Sequence, residues 1–322
     1  MNTTINKDSL LNFLKNQGAL VGLILLTIGA SIRYDYFFTS TNLLNLVLSN
    51  AMLGIVAIGM TFVILTRGID LSVGSLLALA GIVAGYMSSH SLVLALVIPI
   101  LITTSLGFVN GVLIAKNKLE PFIVTLAMMI GVRGFVYAYT EELSISISDT
   151  IAESFAFFGR GELLGLPVPI IIFIVLLFIA GFVLKYTTFG RHVLAVGGNQ
   201  EAAKLMGLKV ERIKIMVYAL NGALAGLAGV ILASRLGVGQ PVAGLTWELD
   251  AIAAVVIGGT YLTGGRGTIF GTFVGVILLA LIYNIINMEG TINSWWQPVI
   301  RGTFLILVVI IQAKVQRKQQ KE

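Results

Sequence analysis

The sequence predicts an all-α polytopic membrane protein with about ten transmembrane helices and both termini in the cytoplasm. Three observations point there. Apolar residues fill 57% of the 322 positions and charged residues 11%, with a mean hydropathy of +0.96; soluble domains carry about 25% charge. The apolar residues fall into runs close to the roughly 20 residues that cross a hydrocarbon core. The basic residues sort to one side of those runs.

The runs lie at about 17–32, 43–65, 73–89, 92–115, 122–139, 167–185, 215–234, 249–262, 269–286 and 297–313, two of them short. None alternates strictly with period 2, which excludes a membrane barrel. The chain therefore divides into a cytoplasmic N-terminal segment at 1–16, a transmembrane domain at 17–313 with a cytoplasmic loop at 186–214, and a basic cytoplasmic tail at 314–322. Lys7 and Lys15 precede the first run, and Leu10, Leu11, Phe13 and Leu14 form an amphipathic stretch suited to the inner surface. A cleaved signal peptide has a similar start. Here the run from Ala19 to Ala30 leads to Arg33 and Asp35 with no cleavage site, so it is expected to stay as the first span.

With the N-terminus inside, 16 of the 21 Lys and Arg residues fall in cytoplasmic segments. Arg33 and Arg160 remain in outer loops, and Arg133, Arg235 and Arg301 lie in or at the ends of runs. One outer loop gathers Glu141, Glu142, Asp149, Glu153 and Glu162. The net charge of +6 thus reflects topology signals. It does not form the basic patch interleaved with aromatics that a nucleic acid would need.

Chemistry is constrained by what is missing. There is no cysteine and there are two histidines, His90 and His192, so thiol, thiolate-metal and imidazole chemistry have little material. No G-x-x-x-x-G-K-[ST], H-E-x-x-H or G-x-S-x-G motif occurs. No catalytic residue, metal or cofactor is expected, and an intramembrane hydrolase lacks a nucleophile with a matched base.

Glycine is frequent, 36 residues, and Gly222, Gly226, Gly229, Gly271 and Gly275 sit inside spans, where small residues let helices approach closely. Leu65, Thr66, Gly68 and Gly74 echo Leu262, Thr263, Gly265 and Gly271 at one constant offset, the kind of trace that an internal repeat leaves.

Three segments stand out. Thr66 to Ser75 interrupts two apolar runs with Arg67, Gly68, Asp70, Ser72, Gly74 and Ser75. Gly68 and Gly74 free the backbone from helical geometry, and Ser72 is placed to cap the next helix. Such a break is either a cytoplasmic turn with Arg67 and Asp70 solvated, or irregular backbone that lines a path through the membrane. A charged Asp in hydrocarbon costs about 2.5–3.5 kcal/mol on insertion scales. The second segment, Gly197 to Gly207, reads as a short helix capped by Asn199, with Glu201 at its positive end and Gly207 as its left-handed stop. Ala202 and Ala203 give a smooth face, and Leu205 and Met206 an apolar edge. So short a helix needs a surface to dock on, either a partner or its own membrane domain. The third segment, 235–268, carries Arg235, Glu248 and Asp250, and is broken at Gly258-Gly259, Gly264-Gly265 and Gly267; Arg235 is placed to pair with one of the acids. Asn50, Asn110, Asn221 and Asn284 can hydrogen-bond a sugar or tie helices together. Arg133 must face protein or water.

Taken together, Gly59 to Ser75, Ala195 to Ala203 with Gly207, Gln240-Pro241, Glu248 to Thr260 and Gly264 to Thr268 resemble the ribose/galactose/xylose-type ABC importer permeases, from about residue 42 to the C-terminus. The resemblance implies a bacterial inner-membrane, multi-pass permease that pairs as a homodimer. A cytoplasmic ATP-binding subunit supplies hydrolysis, so the chain itself is no enzyme, and a periplasmic sugar-binding protein delivers ribose or a related monosaccharide. It further implies that Glu201, Ala202, Ala203 and Gly207 belong to the helix that docks into the ATPase. The candidates for pathway or hinge are then Gly68, Asp70, Ser72, Gly74, Asn110, Asn221, Gly264 and Gly265. The alternative is a secondary transporter driven by an ion gradient. That machine wants paired intramembrane acids, and the sequence offers Asp70 as the one acid expected to sit deep.

Overall fold

The computed structural model describes residues 18–290 and, past them, positions 296, 298, 299, 302, 303, 306 and 310, all helical. The predicted segment 1–16, the tail 314–322 and most of the run 297–313 lie outside the described residues.

The chain is helical almost throughout: α1 (Gly18–Arg33), α2 (Ser40–Leu65), α3 (Val73–Ser88), α4 (Leu92–Ala115), α5 (Pro121–Thr140), α6 (Ala152–Arg160), α7 (Val168–Tyr186), α8 (Thr188–Gly198), α9 (Gln200–Leu205), α10 (Val210–Leu236), α11 (Trp247–Ile257) and α12 (Ile269–Glu289). Four two-residue strands make two antiparallel pairs. β1 (Ile145–Ser146) joins β4 (Val238–Gly239), and β2 (Glu162–Leu163) joins β3 (Leu166–Pro167).

Among the described residues, six of the predicted spans are helices long and apolar enough to cross a membrane: α2, α4, α5, α7, α10 and α12. At 1.5 Å per residue, the 16-residue helices α1 and α3 reach about 24 Å. The 11-residue α11 reaches about 16 Å, well short of the hydrocarbon thickness. The run 249–262 is apolar, yet its helix stops at Ile257 because Gly258 and Gly259 follow, Gly259 at φ +92°. Hydropathy saw the composition and not the stop.

Helix α2 forms the axis of the bundle. Every residue from Ala51 to Leu65 is buried, and α10, α12, α11 and α7 pack around it. Helix α10 crosses from there to α4 through a glycine seam. A Cβ at Gly222 would stand 2.3 Å from the Thr103 carbonyl oxygen, one at Gly226 2.0 Å from Thr103 Oγ1, and one at Gly107 2.4 Å from the Tyr218 carbonyl oxygen. With no hydrophobic drive between helices in lipid, this van der Waals closeness is what holds them together. The outer faces of α4 and α7 leave Phe108, Phe178 and Phe182 exposed, as a lipid-facing surface requires.

Candidate functional site

In the break between α2 and α3, Arg67 is exposed while Thr66, Gly68 and Asp70 on either side of it are buried. After Thr66, Arg67 takes the left-handed conformation at φ +62°, and Gly68 follows where a Cβ would meet the Tyr218 hydroxyl at 2.4 Å. Asp70 then turns fully into the protein. Its Oδ1 accepts from the Ser72 backbone N–H at 2.9 Å and from the Ser72 hydroxyl at 2.6 Å; its Oδ2 accepts from Asn221 Nδ2 at 2.9 Å. Asn110 Nδ2 donates to Ser72 Oγ at 3.1 Å. Every proton in this chain points toward the carboxylate, so the orientation of both amides follows from the acid. Ser72 therefore does not cap α3 with its side chain, as the sequence suggested. Asp70 claims its hydroxyl, and the Ser72 N–H to Asp70 bond is the two-residue Asp-to-backbone closure that this residue type favours in turns.

The cluster joins three elements: the break itself, α4 through Asn110, and α10 through Asn221. Asn110 Oδ1 and Asn221 Oδ1 are buried without a hydrogen-bond partner. Leaving such an acceptor unmet costs about 1–3 kcal/mol, so the site holds spare hydrogen-bonding capacity at its centre. Around it, the Ile69 carbonyl accepts from Thr125 Oγ1 at 3.2 Å and from the Tyr218 hydroxyl at 3.4 Å. Gly74 serves packing: a Cβ there would lie 2.3 Å from the Gly244 carbonyl oxygen.

Arg67, three residues before Asp70, points the other way. Its Nε donates to the Gly197 carbonyl at 2.6 Å and its Nη2 to the Gly198 carbonyl. These two residues end α8, and α9 starts at Gln200. The loop after α11 completes the junction, since the Gly265 N–H donates to the Leu65 carbonyl at 3.0 Å. No side chain fits there: a Cβ on Gly197 would stand 1.7 Å from the Leu65 oxygen, and one on Gly264 2.5 Å from Arg67 Cγ. The two segments that echo each other in sequence are thus in contact.

Helix α9 has the predicted caps. Asn199 Oδ1 accepts from the Ala202 N–H at 3.0 Å, and Gly207 sits at φ +82°. Its faces are divided unequally. Ala203 is fully buried against the chain's own body, while Leu205 and Met206 are 89% and 70% exposed, and Glu201 is exposed too. Sequence reading did not resolve α8, the amphipathic helix that leads into α9.

Other polar residues are placed as follows. Arg133 Nη1 donates to the carbonyls of Pro241 at 2.6 Å and Ala243 at 2.8 Å, a structural role. Arg235 does not reach for an acid; its Nη1 donates to the Leu48 carbonyl at 3.2 Å. Asn284 exchanges hydrogen bonds with Asn42 across α12 and α2, and Asn50 bonds back to Leu46 in its own helix. Asp250, one of the two acids of the third segment, is buried as well, with the Tyr283 hydroxyl 3.3 Å from its Oδ1.

A polar core inside an apolar bundle, mechanically joined to a short helix at one end, is the layout of a membrane transport subunit. The chain belongs to the branched-chain amino acid transport system / permease component family, whose match spans residues 42–309. It is 43% identical over 302 residues to the ribose import permease protein RbsC of Haemophilus influenzae, covering 92% of this chain and 93% of that one. It is 46% identical over 299 residues to the Bacillus subtilis RbsC, covering 92% of each. The L-arabinose transport system permease protein AraH of Escherichia coli is 38% identical over 305 residues, covering 94% of this chain and 92% of that one. No solved structure gives a significant match.

Proposed function

We propose that this chain is the membrane-spanning permease subunit of a bacterial ATP-driven sugar importer, with ribose or a related monosaccharide as its cargo. The relatives named ribose import permease support the class and the cargo. One structural observation carries the mechanism: Arg67 and Asp70 sit on a single short break, one tied to the carbonyls ahead of α9, the other to the polar groups of α4 and α10. A displacement of α9 must therefore load the centre of the bundle. A cytoplasmic ATPase would supply that displacement by docking on the face of Glu201, Leu205 and Met206. Hydrolysis belongs to that partner, and a periplasmic binding protein delivers the sugar.

In this reading ten spans are completed by α1, α3, the region around α11 and the run 297–313, with both termini cytoplasmic. A second copy closes the path. The apolar groove along α3, α4 and α5, of about 890 Å³ and lined in part by Leu79, Tyr86, Leu106, Val132 and Tyr139, is an open trough in one copy and would become a conduit facing another. The unpaired oxygens of Asn110 and Asn221 are available to sugar hydroxyls or water when the bundle opens.

The burial of Asp250 beside that of Asp70 gives one specific argument for a second reading, transport driven by an ion gradient. Sugar uptake by membrane vesicles separates the two. Uptake that requires ATP and survives collapse of the ion gradients supports the importer; uptake that stops on collapse, with ATP present, removes it.

A further inference from the structure

The end of the bundle that carries α9 holds a cavity of about 640 Å³ that shares Arg67 and α9 with the proposed transport mechanism. Six cations line it: Arg67 from the break, Lys118 from the turn between α4 and α5, Lys204 from α9, and Lys209, Arg212 and Lys214 from the start of α10. Two carboxylates, Glu120 and Glu211, share the wall, which leaves a net charge of +4. Among the described residues none of the six cations forms an ion pair within 4 Å. Lys118 is held in the left-handed conformation at φ +56°, unusual for a long side chain.

The two carboxylates offset only part of the repulsion among these six cations. A single carboxylate would offset one of the four uncompensated charges. A phosphate monoester brings about 1.5 to 2 negative charges and three strong acceptor oxygens, and the diester of a phospholipid brings one charge and two free oxygens, either of them matched to ammonium groups around a concave wall. The concavity also favours a small anionic group over the flat or convex surface of a protein partner. Basic pockets between helices at a cytoplasmic membrane face are suited to anionic headgroups.

We infer that this cavity is a binding site for a phosphate group, gripped by Lys118, Lys204 and Lys214. Because the three lysines belong to the α4–α5 turn, α9 and α10, the bound anion fixes α9 against the spans. The phosphate comes from one of two sources, the headgroup of an anionic phospholipid or a soluble phosphate.

The purified full-length chain in neutral detergent tests this with two probes. Native mass spectrometry reads retention of phosphatidylglycerol against phosphatidylcholine, and calorimetry reads binding of inorganic phosphate. The variant combines Lys118→Gln, Lys204→Gln and Lys214→Gln; the control combines Lys116→Gln and Lys185→Gln, outside the cavity wall. Each lysine near an anionic surface is worth several-fold in affinity, so the triple variant should lose roughly a hundredfold for whichever probe binds, with the control unchanged. Phosphatidylglycerol lost in this pattern assigns the lipid source, and inorganic phosphate lost in this pattern assigns the soluble one. Should circular dichroism show the triple variant unfolded, the three single variants replace it, each losing several-fold. Binding of neither probe, or equal loss in the control, overturns the assignment.

Discussion

Arg67 Nε lies 2.6 Å from the Gly197 carbonyl oxygen, 130 residues away in sequence, and this bond links the end of α8, just ahead of α9, with the break between α2 and α3. The guanidinium is a planar fork that reaches two successive carbonyls at once. A charge-assisted bond of this kind contributes about 1.5–3 kcal/mol.

Replacing Arg67 should therefore weaken coupling without preventing assembly. Arg67→Ala is expected to insert normally and to cut ATP-driven uptake by at least tenfold. Arg67→Lys, which cannot hold both carbonyls, should recover only part of it. Uptake and ATP hydrolysis measured together in proteoliposomes check this: hydrolysis should persist while uptake falls.

The Asp70 cluster makes a stability prediction. Asp70→Ala leaves the Ser72 hydroxyl, the Ser72 N–H and the Asn221 amide buried with donors unmet, a loss of about 1–3 kcal/mol for each group left unsatisfied. Asp70→Asn keeps the size and one acceptor and should fall between. Thermal unfolding in detergent should rank wild type above Asp70→Asn above Asp70→Ala, with transport lost in the last.

The exposed face of α9 can be mapped because the chain has no cysteine of its own. Leu205→Cys and Met206→Cys should cross-link to the companion ATPase, while Ala203→Cys should not react, being turned into its own protein. Glu201→Arg should leave the chain in the membrane and uncouple uptake from ATP; normal uptake by that variant removes the docking assignment.

The glycine seam predicts a different failure. Gly226→Leu would drive a side chain into Thr103, whose Oγ1 would stand 2.0 Å from the first added carbon. Overpacking costs about 1–3 kcal/mol or more. The expected result is a lowered yield of folded protein in detergent. Gly131→Leu, on α5 with open space around it, should be tolerated.

Much of the architecture was legible from residues alone, for identifiable reasons. Long apolar runs announce spanning helices, and the capping of α9 by Asn199 and its stop at Gly207 are local chemistry that a sequence displays. The end of α11 at Gly258-Gly259 is equally local and was read as a break, although the apolar run 249–262 was still counted as one span. The candidate site was legible as a set of polar residues, not as an arrangement. Asp70 and Asn221 are 151 positions apart, and nothing in either neighbourhood announces the pairing. Tyr218 and Thr125, hydroxyls within apolar helices, were local signs of the polar centre that sequence reading passed over. The inward turn of Ala203 and the diversion of Ser72 from capping to Asp70 depend on what packs beside them, which composition does not encode.

Reconstitution from purified parts tests the central claim most directly: the chain in liposomes alone, and then with its companion ATPase and binding protein. Sugar should accumulate only when all three components and ATP are present, with no nucleotide hydrolysis by the chain alone. Hydrolysis by the isolated chain, or sugar entry without the ATPase, would contradict it.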